Sequence, residues 1–362
     1  MIIGGTTVSR YVANRTLRGI GLALIIVTAI ITLVDCVEGS RNIGSDADIT
    51  FFQLLGLTLL KVPKLIEQTI PFIVLFGVMG ALYGMNRRSE LIVMRASGLS
   101  AWRFLRPALI VSAMIGILWS TVGNPIATNL MTKYETKSAE LTGEFNSDEI
   151  WLRDGSESFQ RIIHARSISD KTLTHVTLYE MAIETDGTTQ FARRYDAQKA
   201  ELLGTGYWKL TNIVENAPNE DTKRVNVISL PTNISLEQLQ DQTRQSADPP
   251  FWEIRKEIEA NRRAGFSARP LELQFNRLLS LPFLLVAMTF IAAGVSMSLA
   301  RQGGTIRLLI IGSVMGFAVF FADSVISAFG EVAILPVSFA AWAVPALVLL
   351  SSVTYLAKIE DG

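Results

Sequence analysis

The sequence has little charge and almost none of the residue types that build metal sites. Of its 362 residues 18% are charged, whereas an average soluble domain carries about 25%. One cysteine, Cys36, and two histidines exclude an internal disulfide and a Cys/His zinc cage, so we predict no metal site. The 33 basic and 33 acidic residues cancel, which leaves no basic field to attract nucleic acid. With 49% hydrophobic residues, the composition indicates a membrane protein with no nucleic-acid partner.

A nucleotide-binding loop is also missing. No G-x-x-x-x-G-K-[ST] motif occurs, so any ATP must be used by a partner protein. We predict no cofactor and no enzymatic activity. Two alternatives come from other classes: an intramembrane enzyme built on Asp35 and Asp323, and a mechanical or sensory transmembrane protein.

Apolar runs long enough to span a bilayer, about 20 residues each, occur at six places. They lie near Leu17–Val37, Leu65–Met85, Phe104–Val122, Leu278–Leu299, Ile306–Phe329 and Val337–Leu356. Arginines concentrate before the first run and in the connections after the second and the fourth. The positive-inside rule therefore places both termini in the cytoplasm and the stretch 123–269 outside.

This long insertion has the patterning of a β domain. Alternating strands are predicted at Glu149–Arg153, Thr174–Tyr179, Tyr207–Asn212 and Lys223–Ser229, as in a sandwich or jelly roll. Asp248, Pro249, Phe251, Ile254 and Ile258 then predict a capped amphipathic helix. We predict six transmembrane helices with an inserted all-β, jelly-roll-like domain: helices one to three in 1–140, the β domain in 141–250, and the linker helix with helices four to six in 251–362.

The second cytoplasmic connection predicts a short helix near 87–98. Ser89 can cap it, Leu91, Met94 and Arg95 share a surface, and Gly98 is a natural stop. Such a helix suits docking into a groove on a cytoplasmic protein; a basic anchor on anionic lipid is the alternative. The apolar face and Glu90 favour docking.

Several of these segments resemble the LptF/LptG family, the permease subunits that extract lipopolysaccharide from the bacterial inner membrane. The resemblance lies in Val62-Pro63-Lys64, Pro71, the glycine-rich run to Gly84 and above all Arg88-Ser-Glu-Leu-Ile-Val-Met-Arg-Ala-Ser-Gly98. Ser89-Glu-Leu91, Trp151–Gly155, Tyr207–Leu210 and Asp323 are more similar to LptG than to LptF.

The resemblance implies partners, a location and a coupling site. The implied partners are an LptB-like ATPase dimer, a homologous LptF-like permease, a single-span LptC-like protein, periplasmic bridge proteins and lipopolysaccharide. The implied location is the inner membrane, with the β domain in the periplasm. The residues that would couple to the ATPase are Arg88, Glu90, Leu91, Met94 and Arg95.

Lipid contacts follow as expectations. Cations near the outer boundary are headgroup candidates, although each also suits ordinary snorkelling: Arg41, Lys61, Lys64, Lys133, Lys137 and Arg277. Family members often carry a lysine near the outer end of the first span, where this chain has Thr32 and Leu33. Inward residues of the β domain form either a plain core or a slot for acyl chains: Trp151, Phe159, Ile162, Val176, Leu178, Trp208 and Leu210.

Small residues predict close helix contacts. Gly80-x-x-x-Gly84 and Gly312-x-x-x-Gly316 provide such faces. We expect the homologous permease to pack on the first and fifth spans, with Gly312, Gly316 and Asp323 near the seam; packing within the chain is the alternative.

Overall fold

The structure is a computed structural model that describes residues 3–42, 50–142, 150–155, 159–169, 172–183, 189–203, 206–218, 221–234, 249–263, 267–299 and 305–361. The chain forms two compact units. The helical unit comprises 1–42, 54–130 and 249–362, and the β unit comprises 43–53 and 131–248.

The helices follow the apolar runs of the sequence. They are α1 (Ile3–Asn42), α2 (Phe51–Arg87), α3 (Glu90–Ala96), α4 (Ala101–Leu118), α5 (Asn124–Thr142), α6 (Ile254–Arg263), α7 (Arg269–Leu299), α8 (Thr305–Glu331) and α9 (Val337–Asp361). A π turn, Trp119–Gly123, joins α4 to α5 without a break. Counting α4 and α5 as one, six described helices are long and apolar enough to cross a membrane, which confirms the predicted spans.

Two glycines outside the predicted motifs, Gly77 and Gly116, lie at close helix crossings. A Cβ on Gly77 of α2 would lie 2.5 Å from the Cα of Ile20 on α1, and one on Gly116 of α4 would lie 2.5 Å from the Cα of Pro282 on α7. A Cβ on Gly80 would meet no other described part of the chain within 4 Å. The same holds for Gly84, so this pair makes no close crossing with the helices that the structure describes.

Gly312 and Gly316 pack within the chain. A Cβ on Gly312 would lie 2.7 Å from Met79 Sδ, and one on Gly316 would lie 2.7 Å from Leu75 Cδ2. Both neighbours belong to α2. These two glycines therefore make close contacts within the chain, which is the alternative given above, and a seam with another subunit near them stays a prediction.

The β unit contains six antiparallel strands in sequence order. They are β1 (Ile150–Gly155), β2 (Phe159–Ser169), β3 (Thr172–Ile183), β4 (Thr189–Leu203), β5 (Tyr207–Asn216) and β6 (Lys223–Pro231). The fold class, six spanning helices with an inserted all-β domain, is confirmed. The described strands form one sheet in meander order, whereas the sequence predicted a sandwich or jelly roll, in which two sheets pack together.

Irregular positions lie side by side on β3, β4 and β5. His175 on β3 and Asn212 on β5 have positive φ, 51° and 54°, which is uncommon for residues other than glycine. Asn212 Nδ2 donates to Gln198 Oε1 on β4 at 2.8 Å. The buried phase of β5 shifts there, from Trp208 and Leu210 to Ile213. Aligned irregularities of this kind bend strands, as at the corners of packed sheets.

Contacts between distant strands show that the sheet folds back on itself. Arg161 on β2 donates to the carbonyl of Pro231 at the end of β6, although β2 and β6 are not neighbours in the sheet. Asp154 Oδ1 on β1 accepts a hydrogen bond from the backbone N–H of Asn233, just after β6, at 3.1 Å. The folded meander thus buries the apolar cluster that its described strands share.

Candidate functional site

The short helix α3 ends as its sequence predicts but begins differently. Gly98 takes a positive φ of 82°, and the amides of Gly98 and Leu99 donate to the carbonyls of Arg95 and Met94. This is the glycine-dependent C-terminal stop that we expected. Ser89 precedes the helix with a left-handed φ of 62°, and its side chain makes no capping hydrogen bond, so the predicted Ser89 cap is wrong.

One face of α3 is fixed to the helical unit. Leu91 is 5% exposed, and Met94 packs against the same core. Glu90 Oε2 accepts a hydrogen bond from the Tyr11 hydroxyl of α1 at 2.8 Å, and Arg15 Nη2 lies 4.0 Å from Glu90 Oε1. Three of the five predicted coupling residues therefore anchor α3 within the chain.

The opposite face of α3 is open. Ile92 and Val93 are 61% and 66% exposed, and Arg88 and Arg95 are exposed beside them. We name these four residues the α3 outer face. Sequence reasoning missed Ile92 and Val93, although the spacing of Leu91 and Met94 already placed them on the other side of a helix.

Three predicted headgroup cations are bound by acids of the same chain. Lys61 Nζ lies 2.7 Å from Asp35 Oδ1, Lys64 Nζ 3.2 Å from Glu67 Oε1, and Arg277 Nη2 2.9 Å from Asp323 Oδ2. Asp323 thus pairs with a cation and ties α8 to α7. The other three candidates, Arg41, Lys133 and Lys137, are exposed.

Glu67 also accepts hydrogen bonds from both ends of the π turn. Its Oε2 receives Trp119 Nε1 at 3.3 Å and Asn124 Nδ2 at 2.8 Å. The side chain of Glu67 is 16% exposed, and Asn124 is fully buried. The amide oxygen of Asn124 in turn accepts from the backbone N–H of Phe251 at 2.9 Å.

The interior of the β unit contains most of the residues predicted for it. Val176, Leu178, Trp208 and Leu210 are buried in one cluster. Ile162 is only half-buried and alternates with the buried Ile163, so it belongs to the face opposite the predicted one. The side chains of Trp151 and Phe159 lie outside the described residues.

Two polar groups accompany these apolar side chains. Trp208 Nε1 is buried, and among the described residues it has no hydrogen-bond partner. Burial raises the pKa of the neighbouring Tyr195 phenol, and the carboxylates of Glu180 and Glu215 raise it further. Tyr195 is therefore neutral near pH 7 and suits a largely apolar interior.

The fold and these sites define a class: a polytopic α-helical membrane protein with a β domain inserted between the third and fourth spans and a short helix between the second and third. The family described as "Lipopolysaccharide export system permease LptF/LptG" matches residues 10–358. The chain belongs to the LptF/LptG family, as the sequence motifs predicted.

A relative within this family is the lipopolysaccharide export system permease protein LptG of Haemophilus influenzae. The two chains are 24% identical over 170 residues. The matched stretch covers 46% of this chain and 46% of the relative, so it spans about half the length of each. The similarity to LptG that the sequence predicted is supported.

Proposed function

We propose that this protein is a non-enzymatic permease subunit that extracts lipopolysaccharide from the bacterial inner membrane and passes it to a periplasmic bridge. The carrying observation is the family match over residues 10–358, which takes in the apolar part of all six spanning helices and the β unit. Each buried acyl CH₂ contributes about 0.8 kcal/mol, so withdrawing a lipid with several chains costs tens of kcal/mol. Such work requires the energy of ATP hydrolysis, which a separate ATPase subunit carries out.

The α3 outer face is the proposed docking surface for that ATPase. An exposed aliphatic pair flanked by Arg88 and Arg95 combines apolar area with positive charge. Leu91 and Glu90 hold α3 against the helical unit. A displacement of α3 by the docked ATPase would therefore also move the spanning helices. In this proposal Glu90 acts mainly within the chain, by holding α3 against α1.

The orientation follows from the arginines. The α3 connection and both termini lie in the cytoplasm, and the β unit lies in the periplasm. The protein is then a multi-pass inner-membrane component.

The homologous, LptF-like permease is proposed to pack beside α1 and α8. Both helices expose large apolar side chains, such as Ile25 and Leu33 on α1 and Val314 and Phe317 on α8, each at least 62% exposed. Two such subunits would enclose a cavity that one subunit leaves open. A single-span LptC-like protein and the bridge proteins complete the proposed assembly.

The exposed lysines of α5 are the proposed headgroup contacts. Lys133 and Lys137 are four residues apart on one face of the helix, whereas Lys61, Lys64 and Arg277 already bind acids. Each exposed contact is worth about 0.2–1 kcal/mol, so the double change Lys133→Ala/Lys137→Ala is the useful probe. We expect it to lower the lipopolysaccharide retained by the purified complex at low salt and to narrow the difference between low and high salt. If the double variant retains as much lipopolysaccharide as the parent at both salt concentrations, this headgroup site is wrong.

The alternative of an intramembrane enzyme has little support from the geometry. Asp35 and Asp323 each bind a different cation, Lys61 and Arg277, and so do not form a catalytic pair.

One experiment separates the three functions: purification of the chain from its native membrane, followed by analysis of bound protein and lipid. A permease subunit should co-purify with an ATPase and with lipopolysaccharide. A mechanical or sensory protein should retain the ATPase without the lipid, and an enzyme should retain neither. Either of the last two results would overturn the proposal.

A further inference from the structure

The π turn between α4 and α5 brings two side chains onto one carboxylate. Trp119 and Asn124 are five residues apart, and in an α-helix, at about 100° per residue, they would point about 140° apart. In the π turn the N–H of Asn124 bonds to the carbonyl of Trp119, an i→i+5 bond that stacks the two residues. Both can therefore donate to Glu67 of α2.

The same turn holds the segment through which the chain returns from the β unit. Asn124 Oδ1 accepts the N–H of Phe251 at 2.9 Å, and the carbonyl of Thr121, inside the turn, accepts Trp252 Nε1 at 2.9 Å. Phe251 also stacks on Phe275 of α7 with ring centroids 5.6 Å apart. Residues 249–252 directly follow the β unit, which ends at Asp248.

Asn124 is suited to bridge these partners because its amide both donates and accepts. It is fully buried. Its NH₂ group donates to Glu67, and its oxygen accepts from the backbone N–H of Phe251. A carboxylate at this position would lose the donor, and an apolar side chain would lose both bonds and leave buried polar groups unpaired.

We propose that Glu67, Asn124 and Trp252 form a positioning relay that makes α2 and the return segment 249–252 move together. From Glu67 to its end at Arg87, α2 extends about 30 Å, and a two-residue turn joins it to α3. A displacement of α3 can therefore reach Glu67 along α2. π turns serve as local hinges, and reversion of this one to α geometry would separate Trp119 from Asn124 and release Glu67. The relay rests on the proposed function: its role is to link ATP hydrolysis by the ATPase docked on α3 to lipid release on the β-unit side.

The test measures lipid release and ATP hydrolysis in the same reconstituted complex. The full chain with its partner subunits is placed in proteoliposomes that contain lipopolysaccharide, and the amount of lipid released per ATP is the readout. We expect Asn124→Leu to lower this ratio at least fivefold at an unchanged ATPase rate. Glu67→Gln, which keeps an acceptor oxygen, should stay within twofold of the parent, while Glu67→Leu should resemble Asn124→Leu.

Trp252→Phe provides a variant that does not threaten folding. Trp252 is 68% exposed, and the change removes only the hydrogen bond to Thr121. We expect the lipid-per-ATP ratio to fall two- to threefold. Gln68→Ala, at an exposed position beside Glu67, is the matched control and should leave the ratio unchanged.

The outcomes distinguish this inference from the function on which it rests. Unchanged ratios in both Asn124→Leu and Trp252→Phe, with an active parent, overturn the relay alone. If Asn124→Leu only lowers the yield of the complex and Trp252→Phe has no effect, the residues are merely structural and the relay is wrong. A parent complex that hydrolyses ATP without releasing lipid overturns the proposed function and the relay together.

Discussion

The α3 outer face gives the most quantitative prediction. Changing Ile92 and Val93 together to serine removes its apolar side chains while leaving Leu91, Met94 and the Glu90 contact in place. Both positions are exposed, so the chain's own stability should change little. If the ATPase covers this face, its affinity should fall.

The size of the loss follows from the exposed fractions. Full burial of an aliphatic side chain is worth about 1.5–3 kcal/mol. Ile92 and Val93 are 61% and 66% exposed, so about two thirds of that remains to be gained on docking. The double change should therefore cost about 2–4 kcal/mol, which raises Kd about 30- to 1000-fold.

The assay titrates purified ATPase onto the permease complex held in nanodiscs. Val332→Ser/Ile334→Ser is the matched control, because both residues are 66% exposed and lie in the connection between α8 and α9, which the proposed topology places on the opposite side of the membrane. The control should bind within twofold of the parent. Equal affinity of the Ile92/Val93 double variant would refute docking through this face. Loss of binding to anionic vesicles with unchanged ATPase affinity would indicate a lipid anchor instead.

Three further predictions concern single contacts. If Glu90 holds α3 through the 2.8 Å bond from Tyr11, Tyr11→Phe should weaken ATPase association as much as Glu90→Ala, with membrane insertion unchanged; an effect of Glu90→Ala alone would mean that Glu90 contacts the ATPase directly. Gly77→Ala should destabilise the helical unit by about 1–3 kcal/mol because its Cβ would lie 2.5 Å from a neighbouring backbone, whereas Gly80→Ala should not lower thermal stability; equal melting temperatures for the two would contradict the crossing. A photo-crosslinker at Leu178, buried in the β unit, should give ATP-dependent adducts with lipopolysaccharide if lipid passes through; adducts with protein alone would mean that the β unit only braces the assembly.

The membrane helices were the easiest part to predict from the sequence. A spanning helix is a local feature, since about 20 apolar residues must satisfy their backbone within one segment. For the same reason Gly98 was correctly predicted to end α3, because its positive φ depends on one residue.

Strands were harder to predict where the residues that point inward are not strongly apolar. β2 was missed because Arg161 and Ala165 share its inward phase with Ile163. β4 was missed because its inward positions include Ala197 and Ala200, and because the phase shifts between them. A bend of this kind depends on neighbouring strands, so no single segment of the sequence reveals it.

The hardest feature of the site to predict was which side chains contact each other. The sequence marked Glu90, Gly312 and Lys61 as residues of functional type, but each contacts a residue distant in the chain: Tyr11, Met79 and Asp35. Such pairings follow from how helices cross, which hydrophobic patterning alone does not fix. The hydrogen bonds of Asn124 to Glu67 and Phe251 were not predicted, because a π turn has no clear signature in one sequence.

The central claim is that this chain moves lipopolysaccharide with energy from a partner's ATP. The most direct measurement reconstitutes it with the ATPase and the homologous permease in proteoliposomes that contain lipopolysaccharide, and follows lipid reaching a soluble periplasmic acceptor. The account predicts transfer that requires ATP and that falls when Ile92 and Val93 are both changed to serine. ATP hydrolysis by the assembled complex with no lipopolysaccharide reaching the acceptor would contradict it.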